Sequence, residues 1–254
     1  MDNVMIRFRE RPELEDAVLI EGLPGVGNVG KLAAEHLVEE LDFVKFAEIF
    51  SKFLPPQVIV GEDGTVTLVK HDLYYRKGAD GQRDIILLTG DYQGLTPEGQ
   101  YEISLETVKM AKDLNVSLIF TLGGYGVIKL IEEPSVLGAV TSPHLKEKLE
   151  ELGVIFKKGE PSSGIIGASG LLLGLGQLED IDGICLMGET SGYFVDPRSA
   201  RSVLTVLSRY LGFEIDYSSL EKKATQIDEI TSRIKENLDE AESTERPDDL
   251  RYFG

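Results

Sequence analysis

The stretch EGLPGVGNVGKLA, residues 21–33, decides the fold because it joins a strand to a helix through four glycines. Residues 17–21, up to the first glycine, form a nearly continuous apolar run, which is typical of a buried strand. After the glycines, apolar side chains recur at helical spacing as far as Leu41. This order of strand, glycine-rich turn and helix predicts the first βα unit of an α/β domain.

The same turn matches two nucleotide-binding motifs that overlap. Gly25, Gly27 and Gly30 have the G-x-G-x-x-G spacing of a dinucleotide fold. The run from Gly25 to Lys31 also reads G-x-x-x-x-G-K, as in a phosphate-binding loop, but the next residue is Leu32 instead of the Ser or Thr that binds magnesium. We keep Gly25, Gly27, Gly30 and Lys31 as an alternative ligand loop. The simpler interpretation is a tight turn with close packing of helix on sheet.

Each motif also requires a carboxylate elsewhere in the chain. A dinucleotide fold places one about 20 positions further on, at the tip of the second strand. Glu48 is near that distance, but it lies within an apolar run. A phosphate-binding loop uses a carboxylate at the end of a neighbouring strand, and Asp91 follows such a strand only after a Thr-Gly turn. The sequence therefore favours a structural turn over a nucleotide site.

Further strands are predicted by other apolar runs. Residues 84–90 and 116–124 are apolar runs with β-branched side chains, which is typical of parallel strands covered on both faces, and residues 182–188 supply a further buried strand. The run VIVGEDGTVTLV, residues 58–69, alternates around Glu-Asp-Gly and predicts a hairpin.

Helix starts are marked by a capping residue followed by proline, at Thr96, Ser142 and Asp196. The last of these helices is predicted to end at Gly212. Strands that alternate with capped helices predict a single three-layer α/β domain with a largely parallel sheet, over residues 1–216.

The C-terminal part of the chain has a different character. Residues 217–241 carry a narrow apolar stripe on an otherwise charged helix, and residues 242–254 are acidic up to a terminal RYFG. Such a stripe has to be buried against its own domain or against another subunit. We predict an amphipathic helix that mediates self-association, followed by an acidic tail. The predicted oligomerisation residues are Leu220, Ile227, Ile230, Ile234 and Leu238.

Composition and charge exclude several classes of protein. The net charge of -18 repels phosphates, so neither nucleic acid nor an anionic membrane is an expected partner. Without a long apolar stretch or a signal-like start, the chain is expected to be cytoplasmic. Few asparagines, no tryptophan and many Glu and Lys are typical of a thermophile.

No catalytic or metal site can be assembled from the sequence. His36, His71 and His144 fall in separate elements, and Cys185 lies in an apolar strand, so no metal is expected. Serines in the glycine-rich residues 161–176 lack the spacing of a nucleophile elbow. The loops TLGGYG and GETSGY follow strand ends, where α/β sheets place ligand clefts, and they support the alternative of a nucleotide- or nucleoside-binding enzyme.

Five segments together resemble a known family. They are GLPGVGNVGKLA, LTGDYQ, TLGGYG, SSGIIGASGLLLGLG and GETSGYFVDPRSA, in this order along the chain. Over about residues 15–240 the sequence resembles the archaeal proteasome-assembly chaperones, homologues of the second eukaryotic assembly-chaperone subunit. The resemblance implies a phosphorylase/hydrolase-like α/β fold and a homo-oligomer. It also implies a chaperone for proteasome α subunits, or a partner of a related assembly chaperone, with neither catalysis nor a cofactor.

The same resemblance assigns a role to the last three residues. Some members of the family end in a hydrophobic residue, a tyrosine and one further residue, which dock between proteasome α subunits. In this chain Tyr252, Phe253 and Gly254 hold those places. Phe253 supplies an aromatic ring without the tyrosine hydroxyl, so the predicted docking either is weakened or is replaced by packing on the protein itself.

Overall fold

The computed structural model describes residues 2–79, 81–128, 131–161 and 164–230. Within these residues, the chain forms one eight-stranded mixed sheet and a separate two-stranded hairpin. The strands are β1 Val4–Phe8, β2 Ala17–Gly22, β3 Val44–Ser51, β4 Val58–Val60, β5 Val66–Leu68, β6 His71–Arg76, β7 Ile85–Gly90, β8 Val116–Gly126, β9 Val136–Val140 and β10 Asp182–Thr190. The strand order in the large sheet is β1-β3-β6-β7-β2-β8-β10-β9, and the hairpin is formed by β4 and β5.

Helices cover both faces of the large sheet and give the three layers that the sequence predicts. Short 3-10 turns over Val26–Asn28 and Pro143–Leu145 precede α1 and α3. The described chain ends in a helix over residues 218–230. The other helices are α1 Val29–Glu40, α2 Pro97–Asp113, α3 Lys146–Glu151, α4 Ala168–Leu178 and α5 Pro197–Leu211.

The parallel strands lie in the centre of the sheet. β7, β2, β8 and β10 pair in parallel, whereas β1, β3, β6 and the edge strand β9 pair with antiparallel neighbours. The α/β class is confirmed, and the predicted parallel arrangement holds for these four central strands.

The core has one cluster on each face of the sheet. Side chains that alternate along the central strands point to opposite faces, so Ile20 and Phe120 pack with α1 and α5, whereas Leu19 and Ile119 pack with α2 and α4. All four are fully or almost fully buried. The apolar runs of the sequence are therefore continuous because both faces of each strand are covered.

Two of the three predicted N-terminal caps, and the predicted end of α5, are confirmed. The side chains of Thr96 and Asp196 accept hydrogen bonds from the N–H groups of Gly99 and Ser199. Gly212 ends α5 in the left-handed conformation, with φ of 76°. Ser142 precedes the 3-10 turn without a side-chain cap. Within the described residues, no helix has the length and apolar character needed to span a bilayer.

Candidate functional site

The glycine turn after β2 is closed by atoms of the chain itself. A Cβ atom added at Gly30 would lie 2.0 Å from the carbonyl oxygen of Leu122, and one added at Gly22 would lie 2.3 Å from the carbonyl oxygen of Gly30. Glycine is required at both positions because α1 packs directly on the backbones of β2 and β8. Close packing of helix on sheet therefore accounts for these two glycines.

Gly27 and Gly25 differ in their surroundings. Gly27 adopts a φ of 61°, and a Cβ there would lie 2.7 Å from the hydroxyl of Thr190 at the end of β10. Its carbonyl also accepts a hydrogen bond from the N–H of Asp196. Gly25 has open space where a Cβ would lie. Of the three glycines of the alternative ligand loop, Gly27 thus packs against Thr190 of β10 and Gly30 against Leu122 of β8.

The lysine of the alternative ligand loop has acidic partners within the chain. The Lys31 ammonium group lies 2.5 Å from Asp91 and 3.4 Å from Glu35. Partial burial alone would lower the Lys31 pKa, but the hydrogen bond and charge of Asp91, with the charge of Glu35, raise it above its ordinary value. The structure brings Lys31 and Asp91 together as an ion pair, so a carboxylate of the same chain already balances the positive charge of Lys31.

Glu48, the residue nearest to the ribose-binding position of a dinucleotide fold, lies in an ion-pair cluster. It contacts Arg9 at 3.2 Å, Lys45 at 3.0 Å, and Lys70. Burial alone would raise its pKa, but Lys70 and Lys45 lower the pKa to about 2. The carboxylate therefore joins β1, β3 and the start of β6.

A buried carboxylate that the sequence analysis did not single out lies at the end of β2. Glu21 is fully buried, and its two oxygens accept hydrogen bonds from the N–H of Leu23, at 3.0 Å, and the hydroxyl of Ser169, at 2.9 Å. Burial raises the pKa of Glu21 to about 7, although both hydrogen bonds oppose the shift. Ser169 lies in the first turn of α4, so this contact joins the start of α4 to the sheet.

The remaining candidate groups are separated from one another. Cys185 is buried in β10, and burial raises its thiol pKa to about 12, so the reactive thiolate is absent near neutral pH. His36 and His71 hydrogen-bond the carbonyls of Asp216 and Tyr92 through Nε2, each at 2.7 Å. Among the described residues, no cluster of three or more His, Cys, Asp or Glu side chains could hold a metal ion.

The first turns of the predicted oligomerisation helix pack on the chain's own domain. Leu220 and Ala224 are buried, and Leu220 belongs to the cluster formed with α1 and α5. Ile227 is half-buried, whereas Ile230 is 55% exposed. Own-domain packing therefore accounts for the beginning of the stripe. The stripe residues Ile234 and Leu238, and the terminal Tyr252, Phe253 and Gly254, lie outside the described residues.

Polar contacts hold this helix in one place. Arg198 of α5 makes a two-point ion pair with Asp228, and Arg201 pairs with Glu221 at 3.2 Å. His36 of α1 contacts the hydroxyl of Ser219 at 3.1 Å. The two ion pairs are exposed enough to contribute about 1 kcal/mol or less each, so apolar burial is the main contribution.

Replacing Leu220 by alanine is expected to lower the free energy of unfolding by about 2 kcal/mol, because a buried leucine is truncated at a position where the helix can partly relax. Urea unfolding would measure the change. The matched control is Ile230→Ala on the same helix, for which a change below about 0.5 kcal/mol is expected. Equal effects of the two substitutions would contradict the packing described above.

Comparison with known proteins places the chain in a family. The family model described as the PAC2 family matches residues 19–235. An uncharacterised protein of Methanocaldococcus jannaschii is 43% identical over 98% of this chain and 96% of its own length.

Two crystal structures from Pyrococcus furiosus are also similar. PbaB, an archaeal proteasome activator, has a TM-score of 0.89 and 39% identity, over 92% of this chain and all of that one. PbaA, an archaeal homologue of proteasome-assembly chaperone, has a TM-score of 0.78 and 33% identity, over 96% of both chains. These matches confirm the resemblance that the five segments indicated. The chain belongs to the PAC2 family.

Proposed function

We propose that this protein is a non-enzymatic, homo-oligomeric chaperone or activator that acts on the proteasome, with α subunits as its partners. The observation that carries the proposal is the similarity to PbaB, an archaeal proteasome activator, at 39% identity over 92% of this chain. The similarity to PbaA, a homologue of proteasome-assembly chaperone, supports a role related to the proteasome. The negative net charge suits a basic protein surface better than a phosphate-rich one.

The geometry of the glycine turn favours a binding protein over a nucleotide-binding enzyme. Gly30 and Gly27 pack closely on β8 and β10. The positive charge of Lys31 is balanced by ion pairs with Asp91 and Glu35. A phosphate group would have to compete with Asp91 and Glu35 for the ammonium group of Lys31. The turn therefore serves the fold, and function is assigned to the surfaces and the C-terminal segment.

Deleting residues 250–254 is expected to remove most of the association with proteasome α subunits, because this segment holds the aromatic pair proposed to dock between them. Native mass spectrometry of the full-length and shortened chains with purified α subunits would measure the complex. The control is the solution mass of the shortened chain alone, which should not change. Equal association of both chains would contradict docking through the tail.

The enzyme alternative makes a separate prediction that calorimetry can check. Under the proposed function, titration with ATP, NAD or nucleosides produces no heat of binding. Micromolar binding of any of these ligands that disappears in Lys31→Ala would overturn the assignment and support a ligand loop at Gly25, Gly27, Gly30 and Lys31.

Replacing Ile227 and Ile234 together by aspartate is expected to lower the mass of the oligomer, because two charges would be placed on the later part of the apolar stripe, from Ile227 onwards, which we propose to lie between subunits. Light scattering would measure the mass. The control substitution is Lys222→Asp, on the same helix and outside the stripe. An unchanged mass in the double variant would mean that the stripe is covered by its own domain throughout.

A further inference from the structure

The hairpin formed by β4 and β5 has an uncovered apolar face. Val58 pairs with Leu68 and Val60 with Val66, so these four side chains lie on the same face. They are exposed by 46%, 56%, 65% and 61%, respectively. An isolated two-stranded hairpin is marginally stable in water, and a face made of four aliphatic side chains adds a cost. The hairpin is therefore stabilised when another surface buries these four side chains.

The other face of the hairpin is directed towards its own domain. Ile59 and Thr67 line a hollow together with Val38 of α1 and Tyr74 of β6. At the base of the hairpin, Leu54 and Val69 are buried against Ile103 of α2. The hairpin is thus held in place at its base, while the outer face stays open.

A second uncovered apolar surface lies between α2 and α4. Within the described chain, this groove is lined by fourteen residues, none of them charged. Leu95, Tyr101, Ile166 and Leu178 on its walls are exposed by 57% to 82%. α4 carries no charged side chain, and its polar side chains are Ser169 and Gln177.

The hairpin and the groove belong to neighbouring parts of the surface. Phe53, next to the hairpin base, accepts a hydrogen bond through its carbonyl from the N–H of Leu95 at 2.9 Å. Gln57 donates to the hydroxyl of Tyr92 at 2.8 Å. Both contacts tie the hairpin base to the loop that leads into α2 and the groove. The apolar hairpin face and the apolar groove are therefore connected through this loop.

Electrostatics indicates which partner covers these surfaces. Two copies of a chain with a net charge of -18 repel each other, so a contact between copies is least unfavourable where the contacting side chains are uncharged. The outer face of the hairpin consists of aliphatic residues only, and the groove has no charged residue among those that line it. A basic partner would instead be attracted to the acidic remainder of the surface.

We infer that the outer face of the hairpin of one subunit, Val58, Val60, Val66 and Leu68, inserts into the α2–α4 groove of a second copy of this chain. This inference rests on the proposed self-association and adds a surface to it that is separate from the C-terminal helix. Because the hairpin and the groove are different patches, the contact is reciprocal in a two-fold dimer or repeats around a ring.

Disulfide trapping tests the pairing directly. The single natural cysteine, Cys185, is buried and does not compete. Oligomers carrying Val60→Cys are mixed with oligomers carrying Ile166→Cys, and subunits are allowed to exchange between them. The mixture is then mildly oxidised. We expect at least about tenfold more covalent dimer than with Val44→Cys as the first partner, because a disulfide forms only between positions brought close together. Val44 is a matched control, since it is 47% exposed at the start of β3, away from the hairpin.

Solution mass provides the second measurement. Val60→Asp combined with Val66→Asp should reduce the mass of the oligomer, whereas Val44→Asp should leave it unchanged. If the aspartate variants fail to fold, the cysteine variants decide. An oligomeric wild type without hairpin–groove cross-links would overturn this inference alone. The inference would also be overturned if the Val60→Asp, Val66→Asp variant lost α-subunit binding while its oligomer mass stayed unchanged, because the hairpin would then bind α subunits. A monomeric wild type would overturn the proposed self-association as well.

Discussion

Replacing Gly30 by alanine is expected to lower the free energy of unfolding by about 3 kcal/mol, because the new methyl group would lie 2.0 Å from the carbonyl oxygen of Leu122. A backbone atom cannot rotate away as a side chain does, so α1 has to move off the sheet. Alanine in a helix is intrinsically better than glycine by about 0.5–1 kcal/mol, which opposes the loss. Urea unfolding would measure the difference.

Gly25→Ala is the matched control in the same turn. A Cβ at Gly25 meets no atom within 4 Å, so we expect a change below about 0.5 kcal/mol. Both glycines belong to the two nucleotide-binding motifs, but only Gly30 is in contact with β8. If Gly25→Ala were as destabilising as Gly30→Ala, the turn would depend on backbone freedom instead of close packing. If Gly30→Ala were stabilising, the described contact with Leu122 would be wrong.

Replacing Glu21 by glutamine is expected to flatten the dependence of stability on pH. Burial raises the pKa of Glu21 from 4.5 to about 7 in the folded protein, so the folded state retains a proton that the unfolded state has lost. The stability contributed by the neutral carboxyl group is complete below pH 4.5 and is lost as the pH rises through 7. The full loss is about 3 kcal/mol, which the glutamine variant avoids.

Urea unfolding between pH 5.5 and 8.5 would measure this effect and avoid the isoelectric point near 4.6, where solubility is lowest. Over this interval the glutamine variant should gain about 2 kcal/mol relative to the wild type. The side-chain oxygen of the glutamine can still accept the hydrogen bond from the N–H of Leu23, and its NH2 group can donate a hydrogen bond to the hydroxyl of Ser169. Glu62→Gln in the exposed hairpin turn is the control and should follow the wild type. Parallel curves for wild type and Glu21→Gln would contradict a raised pKa.

Much of the central fold could be predicted from the sequence. The apolar runs over residues 17–21, 84–90, 116–124 and 182–188 correspond to the four central parallel strands. The caps at Thr96 and Asp196, the end of α5 at Gly212 and the hairpin were also predicted correctly. These features depend on side-chain periodicity and on bonds within a few residues, which a sequence displays directly.

Two elements at the side of β10 were not predicted. α4 contains three glycines, which normally weaken a helix, yet Gly176 packs so closely that a Cβ there would lie 2.8 Å from Ile119 of β8. The edge strand β9 is a short apolar run without a turn motif that identifies its partner. Contact with the sheet stabilises both elements, and this contact exists only after the central strands have assembled.

The contacts of the candidate site also depend on residues that are distant in the sequence. Glu21 and Ser169 are 148 positions apart, and Lys31 and Asp91 are 60 positions apart, so neither pair has a local pattern. The sequence also left open whether the stripe beginning at Leu220 is covered by its own domain, and the structure buries Leu220 against the core.

The sequence by itself determined the α/β class, the glycine turn as a structural element and the resemblance to the archaeal proteasome-assembly chaperones, because these follow from periodicity and from ordered short motifs. Only the tertiary structure decided that the loop lysine is neutralised, that a carboxylate is buried at the end of β2, and that a hairpin and a groove remain uncovered. The physical reason is that burial and pairing are properties of residues brought together by the whole chain, and the identity of one residue does not specify its neighbours in space.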